Sequence, residues 1–283
     1  MKDNPIGVFD SGVGGLSVLR SIRQRLPDED LIYVADMLYV PYGDKPQQVI
    51  EERALAISHF LLDKGVKAIV VACNTATVTA IKKLRQLISI PIIGIEPGVK
   101  PASLTTQSGT IGVLATSRTL QSKSFSILLQ NWVMQHQVEL QACPGLVEQV
   151  ENLDLFANET RNLLTKYLQP LLSKGADTIV LGCTHYPFLM PLINEICAGQ
   201  ARVIDTGPAV AREVERRLQV ENLLNRNDIP GKELFCCSTK HNNTESIMSS
   251  LWGSPVNLKV MDQLESIMSG NEGSASISQI TGS

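Results

Sequence analysis

A chain of 283 residues can bury one large core or two modest domains, and 43% apolar with 19% charged residues is the balance of an ordinary globular protein. A formal net charge of −3 leaves no basic excess for nucleic acid or an anionic membrane, and no apolar run approaches the ~18 residues needed to span a bilayer. The opening MKDNPIGVFDSGVGG lacks the apolar stretch and small-residue cleavage site of a secretory signal, so the expected location is the cytoplasm, where thiols stay reduced.

In chain order, the short apolar runs IGVF, LIYVA, AIVVA and PIIGI predict strands buried on both faces in the first third of the chain. Between them VLRSIRQRL, QQVIEERALAISHFLLDKG and NTATVTAIKKLRQLIS carry the periodicity of helices. TIGVLA, VELQA, TIVLGC and ARVID continue the strand series. A helix at AVAREVERRL and a strand at KELFCCS follow. Strand and helix in alternation predict an α/β fold with mostly parallel sheets and right-handed crossovers.

The chain also repeats itself. LLDKGVKAIVVACNTAT (61–77) and LLSKGADTIVLGCTHYP (171–187) align Leu61, Leu62, Lys64, Gly65, Ile69, Val70 and Cys73 with Leu171, Leu172, Lys174, Gly175, Ile179, Val180 and Cys183 at an offset of 183 − 73 = 110. Ile6-Gly7-Val8 and Ile111-Gly112-Val113 repeat at 105, and Ile95-Glu96-Pro97-Gly98 and Ile204-Asp205-Thr206-Gly207 at 109. The repeat predicts two related α/β lobes facing each other, each a mostly parallel sheet flanked by helices. Residues 1–98 plus 206–265 are assigned to a discontinuous first lobe and 99–205 to the second. The small, polar stretch 266–283 is expected to be a disordered tail. Gly65 and Gly175 read as the residues that end helices and feed the next strand.

Functional groups of such sheets gather beyond the carboxyl ends of the strands. Asp10-Ser11, Cys73-Asn74-Thr75, Glu96, Thr116 and Cys183-Thr184-His185 all fall there. Six cysteines form no C-x-x-C pair and no zinc-like spacing, so no metal is expected. Cys143, Cys197, Cys236 and Cys237 read as small buried apolar residues. Cys73 and Cys183 stand apart through their duplicated context. A thiol at a helix N-terminus is expected to have a lowered pKa, and His185, two residues beyond Cys183, is placed to exchange its proton. His59, His136 and His241 read as structural or surface residues. The glycine loop 10–16 lacks G-x-G-x-x-G and G-K-[ST] spacing. It reads equally as a simple strand-to-helix turn or as a helix N-terminus offered to an anion. Pro41-Tyr42-Gly43-Asp44 marks a turn.

Together DSGVGGLSV, PYGDKP, ACNTAT, IGIEPG, IGVLAT and LGCTHYP, spread over residues 6 to 210, resemble the cofactor-independent glutamate racemases of the aspartate/glutamate racemase superfamily. The resemblance implies two pseudo-symmetric α/β lobes with the active site between them, interconversion of L- and D-glutamate without a cofactor, supply of D-glutamate for peptidoglycan, and a homodimer. It casts Cys73 and Cys183 as the acid/base pair, supported by Asp10 and His185 respectively. It gives Asp10, Ser11, Tyr42, Gly43, Asn74, Thr75, Thr184 and His185 to substrate binding. Glu151 in CPGLVEQVE matches a glutamate near the second cysteine, and Thr116 and Thr119 are candidates for a substrate carboxylate. ADMLYV before PYG, and the residues after Cys143-Pro144, depart from the usual family pattern. An aspartate racemase with the same pair, or a redox protein in which Cys73 and Cys183 form a disulfide, are the competing readings.

Overall fold

Short apolar segments separated by helices leave the strands no antiparallel neighbour within hairpin reach, and every strand pairing among the described residues is parallel. The computed structural model describes residues 2–133, 135–227, 229–241 and 243–261. The strands are β1 (Ile6–Asp10), β2 (Leu31–Ala35), β3 (Ala68–Val71), β4 (Ile92–Gly94), β5 (Thr110–Ala115), β6 (Gln137–Ala142), β7 (Thr178–Gly182), β8 (Arg202–Ile204), β9 (Glu233–Cys237) and β10 (Leu258–Val260). They form two sheets, ordered β10-β9-β2-β1-β3-β4 and β6-β5-β7-β8.

The duplication seen in the sequence is thus a duplication of topology. β2-β1-β3-β4 of the larger sheet has the same order as β6-β5-β7-β8 of the smaller one, and β9 and β10 extend the larger sheet beyond β2. Matched residues do matched work. A Cβ on Gly7 would lie 2.9 Å from Leu61 Cδ1, and one on Gly112 would lie 2.9 Å from Leu171 Cδ1, so each glycine lets the repeated helix leucine settle on its sheet. The helices Gln47–Asp63 and Asn158–Ser173 end alike. Gly65 and Gly175 adopt φ of 74° and 83°. Val66 and Ala176 donate to the carbonyls of Leu61 and Leu171, as the helix-ending reading required.

The first helix starts at Leu16, two residues before the expected apolar run. β10 had no counterpart among the expected strands. It is three residues long, with Leu258 buried and Lys259 and Val260 exposed, and an edge strand of that length carries no periodic signal. The helices Ser117–Gln121 and Lys123–Trp132 were also not anticipated; Thr116 and Ser122 cap them by accepting from the amides of Thr119 and Phe125. The expected tail, 266–283, lies outside the described residues. No helix among the described residues is long and apolar enough to cross a membrane.

One apolar cluster runs from Val13, Leu16 and Tyr33 of the first lobe to Leu114, Leu181 and Leu192 of the second. The order of each sheet reverses beside its first strand: β1 sits between β2 and β3, and β5 between β6 and β7. At such a switch point the loops leaving the two central strands diverge and open a crevice. Asp10 ends β1 and Cys73 follows β3, while Thr116 follows β5 and Cys183 follows β7. Both crevices contribute to one cavity.

Candidate active site between the two sheets

The cavity is narrow and lies between the two lobes. From the first lobe it is lined by Ser11, Pro41, Tyr42, Gly43, Cys73, Asn74 and Thr75, and from the second by Thr116, Val147, Cys183, Thr184 and His185. The two thiols therefore reach one space from opposite lobes.

Cys73 is the N-cap of the helix Asn74–Leu87, and its Sγ accepts from the Ala76 amide at 3.4 Å. The thiol also lies 3.8 Å from Ser11 Oγ. The sequence led us to expect a lowered pKa here, and the structure corrects that. Burial pushes the Cys73 thiol well up, the Asp10 carboxylate adds to the rise, and the Ala76 amide and Ser11 hydroxyl only partly offset them. One helix N–H does not replace the water that a buried thiolate loses.

Asp10 is fully buried. Its Oδ1 accepts from the Gly12 amide at 2.8 Å, and its Oδ2 accepts from the Thr184 hydroxyl of the opposite lobe at 3.0 Å. Burial raises its pKa to about 6; the charge of His185 and the two hydrogen bonds limit that rise. Asp10 is not itself a lining residue; it acts on the cavity through Thr184 and through its charge near Cys73.

On the other side, His185 Nδ1 lies 3.7 Å from Cys183 Sγ. Its Nε2 lies 2.6 Å from Glu151 Oε1. Burial by itself would lower the imidazole pKa, yet the hydrogen bonds and charges of Cys183 and Glu151 outweigh it and hold the pKa well above the ordinary value. The same Glu151 oxygen accepts from the Val13 amide at 2.9 Å. The glycine loop does receive an anion at its helix start, but the anion is a carboxylate of the protein. This approach is close: a Cβ on Gly12 would lie 2.1 Å from Glu151 Oε1, and one on Gly14 would lie 2.3 Å from His185 Nδ1.

The remaining polar groups divide into those already engaged and those still free to bind. Thr75, Thr116 and Thr119 bring three hydroxyl oxygens within 3.0, 3.3 and 3.0 Å of one another across the lobes. Asn74 is buried on the cavity wall, and neither atom of its amide group has a hydrogen-bond partner. A buried amide without partners is costly unless a ligand completes it. The Tyr42 hydroxyl, by contrast, is already engaged and donates to Asp36 Oδ2 at 2.6 Å. Arg53 holds the same carboxylate through Nε at 2.9 Å and Nη2 at 2.8 Å. A Cβ on Gly43 would meet Thr116 at 3.3 Å, so this glycine too sits at a lobe-to-lobe contact.

All six cysteines are unpaired and buried, which matches the apolar reading of Cys143, Cys197, Cys236 and Cys237. His59 and His241 are exposed and His136 is half-buried, all outside the cavity lining. Among the described residues no group of three or more His, Cys, Asp or Glu side chains is arranged to hold a metal ion.

The model of the family described as Asp/Glu/Hydantoin racemase matches residues 6–214, which include both thiols. The chain belongs to that family. It is 52% identical over 251 residues to a glutamate racemase of Methylococcus capsulatus, covering 89% of this chain and 93% of the relative. Among solved structures, a glutamate racemase isoform from Bacillus anthracis superposes with a TM-score of 0.86 at 32% identity, over 93% of this chain and 99% of that one. A Francisella tularensis glutamate racemase in complex with D-glutamate gives 0.83 at 28% identity, over 94% and 100%.

Of the candidates drawn from the sequence, Ser11, Tyr42, Gly43, Cys73, Asn74, Thr75, Thr116, Cys183, Thr184 and His185 line the cavity, whereas Asp10, Thr119 and Glu151 stand behind its wall and Glu96 lines a different cavity. Sequence reasoning passed over Pro41 and Val147, which also line the site. Val147 lies four residues before Glu151 in the helix Leu146–Glu151, and helix spacing alone put the two side by side. It also missed the Asp36–Arg53 pair beneath Tyr42, for which a single sequence carries no signal.

Proposed function

We propose that this protein interconverts L- and D-glutamate without a cofactor, using Cys73 and Cys183 as alternating acid and base, and so supplies D-glutamate for peptidoglycan. The observation that carries the proposal is the pair of buried thiols presented to one cavity from equivalent strand ends of two lobes. Inversion at a carbon needs a base on one face and an acid on the other. A single base would have to cross the plane or exchange its proton with water.

In one direction a thiolate takes the α-proton of glutamate and the opposite thiol gives its own proton to the other face. The thiolate and thiol have then exchanged states, and the reverse reaction starts from there. Burial, which raises the Cys73 pKa, keeps that sulfur protonated as the acid and makes it a strong base when it has given its proton up. On the Cys183 side, the Glu151-held imidazolium of His185 faces the sulfur and stabilises negative charge there when it is the base. Acid–base positioning contributes roughly 10²–10⁴-fold, so the carbanion-like transition state also needs electrostatic help. The partnerless Asn74 amide, the Ser11 and Thr184 hydroxyls and the Thr75–Thr116–Thr119 cluster suit the substrate's carboxylates and ammonium.

The test is polarimetry of the purified protein with L-glutamate, D-glutamate and L-aspartate in turn, without added pyridoxal phosphate and after chelator treatment. Racemisation of both glutamate enantiomers, with deuterium entering at Cα in D₂O, is expected. Preference for aspartate would move the substrate to the competing reading, and loss of activity to the chelator would remove the cofactor-free mechanism.

A further inference from the structure

Ser17 opens the second position of the helix Leu16–Arg25, is buried, and lies outside the cavity lining. Its Oγ lies 2.9 Å from the Gly14 carbonyl and 2.8 Å from the Thr184 carbonyl. A serine hydroxyl has one proton and neither carbonyl has any to give, so Ser17 can satisfy only one of them at a time. The Gly14 bond is local to the glycine loop. The Thr184 bond joins the two lobes.

Thr184 is the residue between Cys183 and His185. Its carbonyl faces Ser17 and its hydroxyl is given to Asp10 Oδ2 at 3.0 Å, so the first lobe holds it at both backbone and side chain. There is no slack beside it: Gly14 already approaches the His185 ring so closely that a Cβ would sit 2.3 Å from Nδ1. Whatever fixes Thr184 therefore fixes the thiol on one side of it and the imidazole on the other.

We propose that Ser17 is a positioning residue for the Cys183 half of the reaction. With its proton on the Thr184 carbonyl, it holds the Cys183–Thr184–His185 turn in register with the first-lobe side of the cavity. Rotation of the hydroxyl to the Gly14 carbonyl lets that turn go without leaving the Ser17 donor unpaired, so the lobes part and rejoin at little cost. The inference rests on Cys183 acting as an acid/base group.

The experiment measures kcat, KM, the α-deuterium isotope effect and Tm for Ser17→Ala and Ser17→Thr with each glutamate enantiomer. The enantiomers are equal in free energy, so kcat/KM must change by one factor in both directions, and a one-sided role is read from the isotope effects rather than from kcat/KM. Ser17→Ala is expected to lose about tenfold in kcat/KM, the equivalent of about 1.4 kcal/mol, with Tm within a few degrees of wild type. Its isotope effect should rise for one enantiomer only, the same one for which His185→Asn raises it, and Ser17→Thr, which keeps the hydroxyl, should restore the wild-type pattern. Unchanged kinetics in Ser17→Ala, an equal change of the isotope effect for both enantiomers, or no rescue by threonine would overturn the proposal. If Ser17→Ala does not fold, Ser17→Cys, of similar shape but a weak donor, carries the same expectation and the same refuting outcomes. Wild-type protein that fails to racemise glutamate would remove the proposed function itself; active wild type with an indifferent Ser17 would remove only this inference.

Discussion

Replacing Gly14 with alanine is the sharpest probe of how the two lobes meet. Gly14 does not have a positive φ, so an alanine backbone is comfortable there and any effect comes from the added methyl. That Cβ would lie 2.3 Å from His185 Nδ1, and ordinary contact begins at 3.4 Å, so the ring must retreat by 1.1 Å. It has nowhere to go without losing a partner, because Nε2 is 2.6 Å from Glu151 and Nδ1 is 3.7 Å from Cys183. A misplacement of about 1 Å at a reacting group costs on the order of 10²-fold in rate, and overpacking costs about 1–3 kcal/mol of stability. Gly14→Ala should therefore lose about 10²-fold in kcat/KM, equally in both directions, with Tm lower by roughly 2–10 °C. Gly43→Ala, whose Cβ meets Thr116 at 3.3 Å, should be distinctly milder. Circular dichroism follows racemisation and unfolding on the same samples. A folded Gly14→Ala enzyme with wild-type kcat/KM would show that the His185–Cys183 geometry is irrelevant to the chemistry.

Cys73→Ser and Cys183→Ser should each lose at least about 10²-fold in racemisation measured by polarimetry; full activity in both would end the two-thiol mechanism. Asp10 has a folded pKa of about 6 against 3.8, so its contribution to stability is fully present below 3.8 and is lost as pH rises through about 6. The urea midpoint of the wild type relative to Asp10→Asn should fall across that window. The raised pKa of His185 has the same sign but acts later: its contribution is complete below 6.5 and is lost only on the alkaline side, as pH passes the folded pKa. Arg53→Met leaves the buried Asp36 carboxylate without its ion-pair partner, which should cost about 3–5 kcal/mol by denaturant titration.

Much of the site was legible because the sequence writes it twice. The shared Leu-Leu-x-Lys-Gly and Ile-Val with a following cysteine in each copy located both thiols, and strand-end placement joined them to Asp10, Thr116 and His185. Glu151 was harder. It sits 34 residues before His185 in the chain and reaches both His185 and Val13, which lies 138 residues away. The expected lowering of the Cys73 pKa failed because a helix start is visible in a sequence and depth of burial is not: the Ala76 amide does donate to the thiol, but desolvation is the larger effect.

Strand and helix order, the glycine helix ends and the duplicated thiols follow from local rules of periodicity and backbone freedom, which act over a few residues and so can be read along the chain. The partnership of Glu151 with His185, the divided proton of Ser17, the turning of Tyr42 towards Asp36 and the water-poor surroundings of Cys73 depend on how one lobe lies against the other. Those contacts join residues far apart in sequence, and their strength comes from burial that exists only once both lobes are packed.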